Sequence, residues 1–247
     1  MAKVGLIYNL KKKKDPALPQ DYFSEFDSQE TVNAIASAIK NGGHDVYPVE
    51  ATIHLLDWLR CNRIDIAFNV AEGTSGASRE SQIPAILDFL GIPYTGSGTL
   101  ACALSLDKTM AKKIFIQKGL PTPNFQLFQK KDEELNPNLL FPLIVKPNCE
   151  GSAKGIHASS MVTTSAQLYK EVGRIQQLYQ QDVLVEEFID GKEITVGILG
   201  NKDIRVLPLL EIDFKNCKKQ GEYFYSWEVK EYQGIDPGYP DPEFFCP

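Results

Sequence analysis

Within the first hundred residues, short apolar runs alternate with helical patterns, and that alternation narrows the possible folds more than any other feature of the chain. Lys3-Val4-Gly5-Leu6-Ile7-Tyr8 reads as a buried strand. Asp27 and Glu30, three residues apart, form a capping-box variant that opens a helix. Val32, Ile35, Ala36 and Ile39 then share one helical face, and Gly42-Gly43 ends the helix. A second strand over 45–49, a second helix over 52–61 and a third strand over 64–69 follow. Strands in this order need crossover helices to cover their faces, so the pattern predicts a parallel sheet. Such sheets bind ligands at the carboxyl ends of their strands. Here those ends are Tyr8-Asn9-Leu10 and Asn69-Val70-Ala71-Glu72-Gly73.

Further along, the pattern changes. A helix over 79–90 carries Ile83, Ile86, Leu87 and Leu90, and residues 91–97 read as a short strand running into a turn. Residues 99–118 are helical in two pieces, broken near Asp107, which can cap the second. Strand-like runs come next at 125–128, 141–146, 155–159, 183–189, 193–199 and 205–213, interrupted by one helix over 165–180. The predicted fold class is α/β, with an N-terminal parallel-sheet domain over 1–95 and an α+β domain over 96–247.

Composition excludes several function classes. The chain has 247 residues and is 43% hydrophobic, which suits a globular protein and neither a disordered nor a collagen-like one. Lys plus Arg is 26 and Asp plus Glu is 32, a net charge of −6 that argues against a general nucleic-acid binder. The run Lys11 to Lys14 reads as a solvated loop, with phosphate contact as the other reading. No stretch reaches the roughly 18 apolar residues that span a bilayer, and the apolar start is too short for a signal peptide. A cytoplasmic protein with no membrane partner is therefore expected. Cys61, Cys102, Cys149, Cys217 and Cys246 are scattered, which predicts reduced thiols rather than disulfides or structural zinc.

Three places carry chemistry. The strand Phe141-Pro142-Leu143-Ile144-Val145-Lys146 ends in a lysine, and Glu150-Gly151-Ser152-Ala153-Lys154-Gly155 follows. Small residues let backbone amides approach a phosphate, and the lysine supplies countercharge. Neither GxxxxGK[ST] nor GxGxxG is present, so a hairpin turn with a solvated lysine is an equal reading. Val183-Leu184-Val185-Glu186-Glu187-Phe188-Ile189 runs from apolar residues into adjacent carboxylates. That run could offer backbone groups to a base, or could be an edge strand with solvated charges. Lys108 sits in the first turn of a helix, where a cation opposes the macrodipole. A bound anion would explain it, and so would an ordinary surface lysine.

Taken in order, Tyr94-Thr95-Gly96-Ser97, Leu106-Asp107-Lys108, Pro121-Thr122-Pro123, Pro142–Pro147, Glu150-Gly151-Ser152, Val185–Ile189 and Gly191-Lys192-Glu193-Ile194-Thr195-Val196-Gly197 resemble the D-alanine–D-alanine ligase family of the ATP-grasp superfamily. The resemblance runs from about Asn69 to Lys230. It implies that residues 96–247 are most of an ATP-grasp domain, with a nucleotide-binding subdomain over about 108–180. It also implies an ATP-dependent ligase that joins a carboxylate to an amine through an acylphosphate. By the same resemblance Lys108 and Lys146 contact the ATP phosphates, and Gly151, Ser152 and Ala153 close over them. Glu186, Phe188 and Ile189 frame the adenine, with Glu187 beside them, and Glu193 holds the ribose hydroxyls. Tyr223 to Lys230 takes the place of the family's mobile loop. Lys230 and Ser152 are its expected catalytic residues.

Departures from the family pattern limit what carries over. The family's Gly-Gly-x-Ser-x-Glu after the first strand is Tyr8-Asn9-Leu10-Lys11 here, and its His-Gly is Glu72-Gly73. Its second loop serine is Ala153. Glu72 and Arg79 are candidates for a changed amino-acid site, with structural roles as the other reading. The expected substrates are therefore an amino acid or related carboxylate plus an amine, and D-alanine is only one case. The family's Arg-x-Asp and Glu-x-Asn motifs, which hold Mg²⁺, have no match after Lys230. Magnesium ligands are thus expected to be missing, the C-terminal part of the ATP-grasp domain with them, and the 241–247 stretch is read as unpacked. Glu211 and Asp213 are the less favoured replacements. A homodimer stays open. The alternative to a ligase is a non-catalytic ATP-binding or regulatory protein.

Overall fold

The computed structural model describes residues 1–13, 15–218, 224–232 and 241–247, apart from the side chains of Lys215 and Lys218. Two compact units emerge. One is Met1–Thr122 with Asn148–Ser152, and the other is Pro123–Pro147 with Ala153–Pro247.

In the first unit, β1 (Lys3–Tyr8), β2 (Asp45–Glu50) and β3 (Ile66–Asn69) form a parallel sheet in the order β2-β1-β3. The pleat sends neighbouring residues of β1 to opposite faces. Leu6 packs with Val32 and Ala36 of α1 (Gln29–Asn41). Ile7 packs with Leu55 and Leu59 of α2 (Leu55–Cys61) and with Ile83 and Leu87 of α3 (Gln82–Leu90). The predicted strand at 91–97 amounts to one bridge, Tyr94 to Ala67. The α1 cap also differs from expectation: Ser28 is the N-cap, and its hydroxyl accepts from Thr31 N at 3.1 Å. Asp27 spends its backbone elsewhere, donating to Asn9 O and accepting from Lys11 N, both at 2.8 Å. Next come α4 (Thr99–Leu106) and α5 (Lys108–Gln117), broken at Asp107 as predicted.

In the second unit, β4 (Phe125–Phe128), β5 (Leu143–Pro147), β6 (Met161–Val162) and β7 (Val183–Glu187) form an antiparallel sheet, order β4-β7-β5-β6. Leu143, Val145, Val183 and Val185 share the face that packs on Leu168, Val172 and Ile175 of α6 (Ser165–Tyr179). A second sheet joins β8 (Glu193–Thr195), β11 (Leu210–Asp213) and β12 (Glu243–Phe245) in the order β12-β11-β8, while β9 (Ile198–Leu199) pairs with β10 (Arg205–Val206). The helices α7 (Lys215–Lys218) and α8 (Trp227–Tyr232) complete it.

Two expectations fail in this unit. Residues 155–159 are not a strand: Gly155 turns with φ +78°, and a 3₁₀ turn at Ala158–Ser160 follows, capped reciprocally by His157 and Ser160. The 241–247 stretch is not unpacked, because Phe244 pairs with Ile212. The mobile-loop stretch contains a helix from Trp227 onward, with Tyr223 outside the described residues. Lys14 of the lysine run also lies outside them. Among the described residues, no helix is long and apolar enough to cross a membrane.

Candidate functional site

In the first unit, Lys108 and Gly151 join one polar network, and Ser152 follows Gly151 in the same loop. Asp107 caps α5 through Met110 N at 2.9 Å, which puts Lys108 at the first helical position. Lys108 N donates to Asn148 O at 3.0 Å, and Lys108 Nζ donates to the Glu150 carbonyl. The helix N-terminus and the glycine loop are thus held together by a cation that the helix macrodipole alone disfavours. The loop backbone is strained, since Ser152 and Ala153 both adopt left-handed φ, 49° and 58°. Non-glycine residues keep such angles only where their surroundings hold them.

What holds the loop is a buried ion cluster that sequence reading missed. Arg79 is 7% exposed. Its guanidinium donates to Glu25 at 2.5 and 2.7 Å, to Glu150 Oε2 at 2.8 Å and to Cys149 O at 2.8 Å. Gly151 N donates to Glu25 Oε1 at 2.6 Å. Burial alone would lower the Arg79 pKa, but Glu25 and Glu150 outweigh it and keep the guanidinium charged. Gly151 has little space to spare, because a Cβ there would lie 2.9 Å from Glu25 Oε1.

Beside this cluster lies a cavity of about 370 Å³, lined in part by Glu25, Asp27, Asn69, Glu72 and Glu80. It opens at the carboxyl end of β3, where a parallel sheet is expected to bind ligands. Asn9 shapes its wall by accepting from Glu72 N at 2.8 Å and Gly73 N at 3.1 Å. Burial first, then the charges of Glu80 and Glu25, push the Glu72 carboxyl up to about 7, against the opposing charge of Arg79. Glu72 thus lines the cavity and Arg79 is a buried structural cation, which separates two residues the sequence put forward together.

In the second unit, β5 and β7 position a different set. Lys146 and Glu186 share the sheet face opposite α6, and Lys146 Nζ lies 2.7 Å from Glu186 Oε1. Glu187, on the other face, accepts from Asn124 Nδ2 at 3.0 Å. Phe188 N donates to Pro142 O at 3.0 Å, and its ring meets that of Phe224 at 6.1 Å. Ile189 is 64% exposed. Glu193 Oε1 accepts from Tyr225 N at 2.9 Å. Lys230 sits exposed on α8. Gly155 closes the loop against Pro147, whose Cγ would lie 2.3 Å from an added Cβ.

Among the described residues, magnesium has no ready ligand set: no group of three or more His, Cys, Asp or Glu there could hold a metal ion. Glu211 is buried and its carboxylate takes Lys192 Nζ at 2.8 Å, so the Glu211–Asp213 pair is not a ready ligand set.

Comparison with known proteins bears on the family. The profile of the D-ala D-ala ligase C-terminus matches residues 114–238. A D-alanine–D-alanine ligase of Carboxydothermus hydrogenoformans is 35% identical over 216 residues, 84% of this chain and 65% of the relative. An uncharacterized protein, y4sG, of Sinorhizobium fredii is 35% identical over 216 residues, 83% of this chain and 61% of the relative. The chain therefore spans less than two thirds of the length of these relatives. The crystal structure of the Bacillus anthracis D-alanine–D-alanine ligase complexed with ATP superposes with TM-score 0.65 at 24% identity, over 86% of this chain and 66% of the other. The ordered motifs, the profile and the shared architecture agree: the chain belongs to the D-alanine–D-alanine ligase family and has the ATP-grasp fold.

Proposed function

We propose that this chain binds ATP and forms the nucleotide-binding part of a carboxylate–amine ligase. The observation that carries the reading is the Lys146–Glu186 pair on the outer face of β5 and β7, the lysine and glutamate that the family resemblance assigns to the nucleotide. In this reading, which follows the family resemblance, Lys108, Lys146, Gly151, Ser152 and Ala153 are the phosphate-contacting residues. Glu186, Glu187, Phe188 and Ile189 take the adenine, Glu193 the ribose, and Lys230 and Ser152 serve the reaction. The inherited domains are taken as 1–95 and 96–247, with the nucleotide-binding subdomain at about 108–180.

The chemistry follows from charge. A substrate carboxylate oxygen attacks the γ-phosphorus and ADP leaves, which forms an acylphosphate. A neutral amine then attacks the acyl carbon, its proton passes to a base, and phosphate leaves. Two anions must meet in the first step, so lysine ammonium groups and oriented amides lower its barrier. Substrates are an amino acid or related carboxylate and an amine, handled in the cytoplasm. D-alanine is one candidate, and a homodimer is the proposed assembly.

A phosphate-release assay tests the ligase. Release from ATP is expected only when a carboxylate and an amine are both supplied. A second reading, ATP binding without turnover, draws on the Glu211–Lys192 ion pair, which occupies the acid that would have replaced a metal ligand. ATP binding with no release under any substrate pair would favour it.

A further inference from the structure

The Phe224–Tyr232 segment is tied down at several points of the second unit. Phe224 is buried and its ring meets Phe188 at 6.1 Å. Tyr225 N donates to Glu193 Oε1 at 2.9 Å. Trp227 N donates to Ile156 O at 2.8 Å, and the buried Trp227 ring packs edge-on against His157 at 5.6 Å. His157 Nδ1 lies 2.5 Å from Glu228 Oε1. The segment therefore contacts the two residues assigned above to the nucleoside, Phe188 and Glu193.

The bond to His157 is the least replaceable of these ties. Glu228 Oε2 is buried with no hydrogen-bond partner among the described residues. Burial pushes the Glu228 carboxyl up, but the hydrogen bond and charge of His157 outweigh it, helped by its own amide and Ser226. A partly buried carboxylate with one unpaired oxygen is unfavourable unless its other oxygen is well bonded. His157 supplies that bond from the chain just beyond Gly155, so the pair joins the exit of the glycine loop to the start of α8.

Resting on the nucleotide reading above, we propose that the Phe224–Tyr232 segment is an internal occupant of the nucleoside seat, latched by His157 and Glu228, and that ATP must displace it from Glu193. The latched state is the one described here. ATP then binds only the fraction of molecules whose segment has lifted, and its apparent affinity is reduced by that fraction. Weakening the latch raises the fraction. Glu228→Gln is the direct variant, because it removes the carboxylate charge that faces His157 and keeps the side-chain shape. His157→Asn weakens the same bond from the other side.

The test is ATP titration by calorimetry, read beside tryptophan emission in a Trp58→Phe background. The chain has two tryptophans, so Trp227 becomes the sole reporter. Expected results are ATP binding at least about fivefold tighter in both latch variants than in the parent, and Trp227 emission already red-shifted in the variants before ATP is added. In the parent the same shift should appear on adding ATP. Unchanged or weaker ATP binding in the variants, with a parent that binds ATP, would overturn the latch and leave the nucleotide site standing. No ATP binding by the parent or by either variant, with Trp227 already freed in the variants, would instead overturn the nucleotide reading and the competition with it.

Discussion

Lys146 Nζ lies 2.7 Å from Glu186 Oε1, reaching diagonally across the paired strands β5 and β7. The register explains the contact. Ile144 stands opposite Glu186 and Lys146 opposite Leu184, so all four share one face, and the valines between them point to α6. Lys146→Met should leave the largely buried Glu186 carboxylate without its cation. A loss of about 1–3 kcal/mol in urea unfolding is expected, and the double variant Lys146→Met with Glu186→Gln should recover most of it. Equal stability of single and double variants would show that the pair is not coupled.

Arg79 should be intolerant of change. It satisfies Glu25, Glu150 and the Cys149 carbonyl at once, and its removal would leave two buried carboxylates facing each other. Arg79→Met is expected to lose about 3–5 kcal/mol in chemical denaturation. Arg79→Lys should recover little, since one ammonium cannot reproduce the planar fork. A lysine variant as stable as the parent would contradict this.

Glu72 should make stability pH-dependent. Its pKa in the folded chain is raised from 4.5 to about 7. The folded state holds that proton more tightly than the unfolded state, so the contribution is fully present below about pH 4.5 and is lost as pH rises through about 7. Glu72→Gln removes the titration. The variant is expected to be more stable than the parent at pH 8, by up to about 3 kcal/mol, with the gain shrinking toward pH 4. Thermal melts at the two pH values measure it, and a pH-independent difference would count against a raised Glu72.

Gly155 and Gly43 form a matched pair. Both have positive φ, +78° and +82°, but a Cβ on Gly155 would strike Pro147 at 2.3 Å while one on Gly43 meets nothing within 4 Å. Gly43→Ala should cost about 1 kcal/mol, the backbone penalty alone. Gly155→Ala should cost at least about 3 kcal/mol, because the clash adds to the strain. Similar melting temperatures for the two variants would remove the steric part of this account.

Much of the scaffold was legible because it rests on local periodicity. The strand at Lys3–Tyr8, the break at Asp107 and the helix from Ser165 all follow from apolar spacing and caps. The failures come from tertiary preference. Asp27 does not cap α1 because its backbone bridges Asn9 and Lys11. Residues 155–159 carry strand-like composition, but the turn at Gly155 breaks them. The Glu25–Arg79–Glu150 cluster left no signal, since its members lie 54 and 71 residues from Arg79 and no motif links them. The same holds for His157 and Glu228, 71 residues apart. Lys146, by contrast, was visible as the polar end of an apolar strand beside a glycine loop.

The central claim is an ATP site built on Lys146, and calorimetric titration of ATP into the parent chain and Lys146→Ala tests it most directly. The account predicts saturable binding by the parent and at least about a tenfold loss of affinity in the variant, with folding verified by circular dichroism. Unchanged ATP affinity in a folded Lys146→Ala chain would contradict it.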